Sequence, residues 1–190
     1  MDAALVPSPD RLDRPPAAGP ATLTRAPATP RAFSESQFRD ALAQFATGVT
    51  VICARHGEGR YVGFTANSFN AVSLDPPLVL WSLSRRSLSL PAFEASERYV
   101  VNVLSDAQVE VARRFSRPHA DRFDGVPYAL GWAGAPLIDG CVAWFECMHH
   151  ARHRAGDHVV FIGEVHACGR GAGRGLVFHE HAYGTTTRVE

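Results

Sequence analysis

The chain has 190 residues, 46% of them hydrophobic and 20% charged, a length and composition that suit one soluble globular domain. Its 19 basic and 19 acidic side chains cancel, so there is no general attraction for a polyanion such as nucleic acid. No apolar run approaches the roughly 20 residues needed to cross a bilayer, which argues against a membrane span.

Residues 1–32 hold seven of the 13 prolines and no apolar period. Such a segment cannot bury enough surface to offset its ordering entropy, so a disordered tail is expected there and a folded domain over 33–190. Ser34 with Gln37 forms a capping box, and Phe38, Leu42 and Phe45 recur at helical spacing. The period then changes. Val49–Ala54 predicts a buried strand, and Gly57-Glu58-Gly59 turns it into a second strand, Arg60–Thr65. A polar loop, Thr65–Pro76, feeds a third strand at Leu78–Leu83, and a fourth lies at Tyr99–Leu104. Short helices are expected from Ser87 and from a Ser105/Gln108 cap to Phe115. Strand-like runs return at Cys141–His149, Asp157–Cys168 and Leu176–Phe178. The fold class is therefore mainly β, an antiparallel barrel with a few short helices. No G-x-G-x-x-G is present, which rules against a Rossmann nucleotide site.

The cysteines, Cys53, Cys141, Cys147 and Cys168, form no C-x-x-C pair, and no basic-then-apolar leader precedes them. Reduced, mostly buried thiols in the cytoplasm follow. Cys141 and Cys147 lie an even number of residues apart and would share a face of one continuous strand. They read as small hydrophobes rather than metal ligands. His149, His150, His153, His179 and His181 include no H-E-x-x-H or cysteine–histidine frame, so no metal is expected. Asn102 falls within an apolar strand, where its amide must find partners, either anchoring the loop that follows Thr65 or, the favoured reading, satisfying nearby backbone.

Two segments carry chemistry. Thr65-Ala66-Asn67-Ser68 follows a strand and offers short polar side chains beside exposed backbone N–H groups, which suits a planar heterocycle with carbonyls and ring nitrogens. It equally suits a polar loop leading into a strand. Ser84-Arg85-Arg86-Ser87-Leu88-Ser89 combines hydroxyls, a helix start and guanidinium groups, a set that suits a phosphate or a solvated cap.

The ordered set of motifs resembles the flavin reductase family that serves two-component monooxygenases. It comprises Thr47-Gly48-Val49-Thr50-Val51, the run from Thr65 to Leu78, Tyr99–Leu104, Arg122-Phe123-Asp124-Gly125-Val126, Pro136-Leu137-Ile138-Asp139-Gly140 and Gly156-Asp157-His158. The resemblance implies an FMN-binding split barrel that pairs as a homodimer. It places FMN or FAD against Thr65, Ala66, Asn67 and Ser68, with Ser82 and Leu83 at the ring edge. Arg86, Ser87 and Ser89 would hold the phosphate. His158, with Asp157 beside it, would lie at the nicotinamide site opposite the flavin's exposed face. Tyr183-Gly184 matches the family's closing motif. The implied activity is hydride transfer from NADH or NADPH to flavin, with a monooxygenase as the partner that uses the product. Such a reaction asks the protein for no acid, base or nucleophile, since the cofactors carry the chemistry. Two other functions stay open on the same motifs: a barrel with tightly held FMN that reduces another substrate, and a non-enzymatic flavin-binding module.

Overall fold

The computed structural model describes residues 32–57, 59–117 and 121–187. Of the two units into which the chain divides, 1–34 and 35–190, the second holds all the elements described below. The expected tail, 1–32, lies outside the described residues except for its last position, as does the turn residue Glu58.

The helical spacing of Phe38 and Leu42 gives α1 (Glu35–Ala43), which ends before Phe45. After β1 (Thr47–Gly48) and β2 (Thr50–Arg55), Gly57 and Gly59 take φ values of 68° and 65° and turn the chain into β3 (Tyr61–Ala66). The polar loop expected next is in part a strand, since β4 (Asn70–Leu74) pairs with β5 (Pro77–Ser84), Asn70 opposite Leu80. An edge strand needs no buried face, and four of its five residues are exposed, so it leaves no apolar alternation to read.

The helix expected from Ser87 starts later, as α2 (Leu90–Ala95), with Pro91 in its first turn. β6 (Arg98–Val103) leads to the predicted Ser105/Gln108 capping box, a 3-10 turn (Asp106–Gln108) and α3 (Val109–Ser116). A short hairpin, β7 (Tyr128–Leu130) and β8 (Pro136–Ile138), escapes sequence reading because three-residue strands carry no period. The long hairpin β9 (Ala143–Ala155) and β10 (His158–Arg170) follows, and β11 (Leu176–His179) and β12 (Ala182–Thr185) close the chain.

Seven strands form one antiparallel sheet in the order β3-β2-β6-β9-β10-β5-β4. Its concave face holds Ile52, Ala54, Trp81, Phe93, Tyr99, Val101, Val159 and Phe161. Trp81 stacks on Phe161 at 4.2 Å between centroids, and α2 supplies Phe93 to the same cluster. A second cluster covers the other face of β2, where Val49, Val51 and Cys53 meet Ala112 and Phe115 of α3. Gly63 admits this packing, because a Cβ there would lie 2.7 Å from the Phe115 ring. The sheet curls until its end regions meet without a ladder. Ser68, just beyond β3, accepts from Ser82 N at 3.0 Å and donates to Ser82 O at 3.2 Å. This is a barrel with a seam.

The cysteines are all free; Cys168 is exposed and the other three are buried. Cys141 precedes β9 and packs in the α3 cluster, whereas Cys147 faces the barrel interior. The strand therefore does not run continuously through both, and they share no face. Burial pushes both thiols up, each to about 12. Among the described residues no three His, Cys, Asp or Glu side chains gather as a metal site. No described helix is long and apolar enough to cross a membrane.

His149 lies between the Tyr99 and Phe161 rings, at 4.9 and 5.4 Å, and neither buried ring nitrogen has a hydrogen-bond partner. Burial, followed by the nearby Arg152 charge, lowers its pKa to about 4. The folded value lies below the unfolded one, so unfolding takes up a proton in acid. Stability is then complete above the ordinary value of 6.5 and falls as pH drops toward 4, by about 1.4 kcal/mol per unit. His149→Phe is expected to remove about 2 kcal/mol of the loss between pH 6.5 and 5. Urea unfolding of both proteins at the two pH values checks this; parallel losses would exclude His149 as the source.

Candidate active site

Alternation along the seam strands decides which side chains can meet a ligand. In β3, Tyr61, Gly63 and Thr65 face α3 and its following loop, while Phe64 and Ala66 turn into the barrel. Thr65 is committed locally, since its hydroxyl donates to Ala112 O at 2.6 Å. Ala66 is buried in the core. Of the four residues expected to line a ring, Thr65 still lines a small cavity of about 160 Å3 beside Val49, Phe178 and Tyr183, while Asn67 and Ser68 reach more open space. Both border a groove of about 400 Å3 whose other wall includes Leu42 and Phe45, with Phe178 and His181 nearby. Phe45 is 71% exposed despite its size, and Glu180 and His181 hold left-handed backbone at φ 47° and 62°. Sequence spacing flagged Leu42 and Phe45 as helical, but an apolar helix face usually signals a core.

In β5, Val79, Trp81 and Leu83 are buried and Leu78, Leu80, Ser82 and Ser84 face outward. Leu83 can therefore offer only backbone. The outward face continues onto β10, where Val160 stands opposite Ser82 and His158 opposite Ser84. The sheet thus brings Ser68, Ser82, Ser84 and His158 to one surface from distant parts of the chain.

The 84–89 turn is tightly built. Ser87 N donates to Ser84 O at 2.9 Å, Arg86 N to Ser84 Oγ at 3.3 Å, and Ser89 N to Ser87 Oγ at 3.2 Å. Ser89 is buried, although Leu88 beside it is 96% exposed. The turn is also tied to the G-D-H segment, because Arg85 N donates to Asp157 O at 2.9 Å. His158 Nδ1 lies 2.8 Å from Asp157 Oδ1. That hydrogen bond, then the imidazole's charge and more weakly Arg86, holds the Asp157 carboxyl below the usual range. The positive helix end expected here is weak, since α2 has only six residues and starts at Leu90.

A side chain given no site role by the sequence completes the seam. Arg122 donates through Nη1 to Gly63 O at 2.8 Å, and the same nitrogen lies 3.5 Å from Ser89 Oγ. Its Nε donates to Arg117 O at 3.1 Å. Burial lowers its pKa. The only sequence signal was its place in the Arg122–Val126 motif, which carried resemblance without a role. Hydroxyls, backbone amides and a partly buried guanidinium in one seam fit a ligand with a polar heterocyclic edge and an anionic group.

Residues 42–187 match the family model described as the flavin reductase like domain. The chain belongs to the flavin reductase-like family. It is 43% identical over 157 residues to a Rhizobium meliloti protein named "Probable flavin reductase", a match covering 83% of this chain and 50% of that protein. The chain thus spans about half the length of this relative. It is 42% identical over 159 residues to an FMN reductase (NADH) of Agrobacterium fabrum, covering 84% of this chain and 90% of that one. Among solved structures, the NADH:FAD oxidoreductase of Streptomyces globisporus in complex with NAD and FAD fragments superposes with a TM-score of 0.76. That match is 38% identical and covers 80% of this chain and 92% of the other. The flavin reductase-like barrel with a few short helices is thus the fold, as the motif order implies.

Proposed function

We propose that this protein is an NAD(P)H:flavin oxidoreductase that takes FMN or FAD and hands the reduced flavin to a partner monooxygenase. The observation that carries this reading is the seam, which joins Ser68 and Ser82 to the 84–89 turn and sets His158 on the same outward surface. The chemistry is hydride transfer from nicotinamide C4 to flavin N5, supplied by the two cofactors themselves. The protein's part is to hold the rings in contact and to favour the product. Backbone amides and the Ser68 and Ser82 hydroxyls would meet the ring edge, where fixed donors favour the more negative reduced form. Ser87 and Ser89 would meet the phosphate. His158, its Nδ1 held by Asp157, would present Nε2 to the nicotinamide carboxamide.

His158→Ala is expected to raise the KM for NADH roughly 3- to 10-fold with little change in flavin affinity. The turn should survive this change, because Asp157 grips Arg85 through its backbone carbonyl rather than through the imidazole. Steady-state rates over a range of NADH, with flavin fluorescence titration alongside, measure both. A collapse of flavin affinity with an unchanged KM would move the nicotinamide site elsewhere.

The reading extends to a homodimer and to the cytoplasm. Support for the dimer comes from Leu78, Leu80, Val160 and Ile162, which point outward from β5 and β10 and stay only half-buried. Support for a reducing compartment comes from four free cysteines, one of them exposed. The test of function is turnover combined with dialysis. Purified protein should lose its flavin on extensive dialysis and then reduce many equivalents of added FMN or FAD at the expense of NADH. Flavin that survives dialysis, with no turnover of added flavin, would instead indicate a fixed prosthetic group.

A further inference from the structure

The strand pairings place a second imidazole on the surface that carries His158. In β10, Val159 and Phe161 are buried in the barrel while His158 and Val160 point outward. Cross-strand partners share a face, so Ala155, opposite His158, and His153, opposite Val160, point outward from β9. The outward surface therefore runs Ser82, Val160, His153 in one row and Ser84, His158, Ala155 in the next. His153 and His158 stand on a diagonal of that grid, about 7–8 Å apart. The arginines of the same strand are turned the other way. Arg152 and Arg154 oppose Phe161 and Val159, and Arg152 Nη1 donates to Glu94 O in α2. His149 is set apart as well, since it lies past the bulge between Ile162 and Gly163 and faces Tyr99 in the barrel. His153 is exposed and, among the described residues, makes no hydrogen bond or ion pair, whereas His158 Nδ1 is already held by Asp157.

A flavin that meets Ser68 and Ser82 by its edge stands out from the sheet and turns one face toward β10. The nicotinamide then lies over β10 with its carboxamide at His158, and the rest of the nucleotide can run toward β5 or toward β9. Toward β5 the surface is taken by the flavin and the 84–89 turn. Toward β9 the first polar side chain it meets is His153. A pyridine ring and one ribose separate the carboxamide from the diphosphate, a span of the same order as the His158–His153 diagonal. We propose that His153 binds the diphosphate of the nicotinamide dinucleotide. The assignment rests on the reading of this surface as the nicotinamide side. It makes His153 a determinant of nucleotide affinity, while His158 on the neighbouring strand positions the ring that gives up the hydride.

The test compares the full chain with H153A, H153R and H158A. Its probes are NADH, dihydronicotinamide riboside, which lacks the diphosphate, and ADP-ribose, which lacks the nicotinamide. His153 is exposed, so these changes should leave the fold intact. H153A is expected to raise the KM for NADH about 3- to 10-fold, with kcat changing less than about twofold. Its KM for the riboside should stay within about twofold of the wild type, whereas H158A should raise both. H153R, which supplies a donor and a fixed charge, should return the NADH KM to about the wild-type value. Isothermal titration of the flavin-loaded protein gives a readout apart from turnover. ADP-ribose should bind the wild type and H158A alike, and H153A at least about 3-fold more weakly. Equal KM rises for NADH and the riboside in H153A would overturn the proposal. So would an unchanged NADH KM, or ADP-ribose binding that is absent or indifferent to H153A. A wild type that oxidises neither NADH nor the riboside in the presence of flavin sinks the nicotinamide reading as a whole; one that oxidises both, with KM values indifferent to H153A, sinks only this assignment.

Discussion

Ser87→Ala combined with Ser89→Ala is expected to weaken FMN and FAD binding by about 2–4 kcal/mol, roughly 30- to 1000-fold, while riboflavin affinity hardly moves. Each hydroxyl bonded to a charged phosphate is worth more than a neutral pair. The two positions are not equivalent. Ser89 Oγ is buried and lies 3.5 Å from Arg122, so its loss also removes a contact of that guanidinium. Ser87 Oγ accepts from Ser89 N, so alanine there frees the N–H and loosens the turn. Isothermal titration with the three flavins separates these effects. A matching loss for riboflavin would show that the hydroxyls shape the turn and that the phosphate sits elsewhere.

Asn102→Leu should cost about 3–4 kcal/mol of stability, one of the largest single-site losses available in this fold. The amide is fully buried, donating through Nδ2 to Val51 O at 3.2 Å and Pro136 O at 3.1 Å. Its Oδ1 accepts from Ile138 N at 2.8 Å. Three chain segments, β2, β6 and β8, are joined by this one side chain. Leucine fills a similar volume but leaves the Ile138 N–H and two carbonyl contacts unmet, and the desolvation penalty of those groups makes up the loss. Urea denaturation measures it. A loss under about 1 kcal/mol would mean that the backbone groups find other partners. The hydrogen-bond partners of Asn102 are Val51, Cys53, Pro136 and Ile138, none of them in the Ser68 loop or the 84–89 turn, so flavin affinity should survive wherever the protein remains folded.

How far this could be read from the sequence depended on whether the signal was local. The runs Thr50–Arg55, Pro77–Ser84 and Arg98–Val103 are buried on at least one face, so their apolar pattern marked them correctly. The Ser105/Gln108 capping box is a contact within four residues and was legible for the same reason. β4 and β12 are mostly exposed, and nothing in their side chains reports pairing. The site divides along the same line. Ser68, Ser82, Ser87, Ser89 and His158 were proposed from motif order, and the outward surface shared by Ser68, Ser82 and His158 exists only because β5 pairs with β10 and the seam closes at Ser68. Thr65 and Ala66 belong to the same motif, yet strand alternation turns one toward α3 and the other into the core. Arg122 was invisible as a site residue because its partners, Gly63 and Ser89, are 59 and 33 residues away.

The most direct measurement is anaerobic stopped-flow mixing of NADH with the protein and FMN or FAD, followed by flavin absorbance and repeated with nicotinamide deuterated at the transferred C4 position. If the seam holds the two rings for direct hydride transfer, flavin absorbance should bleach in a phase that requires the protein. That phase should slow several-fold on deuteration. Bleaching no faster than in protein-free buffer, or a protein-dependent rate indifferent to deuterium because no hydride moves within the complex, would contradict the account.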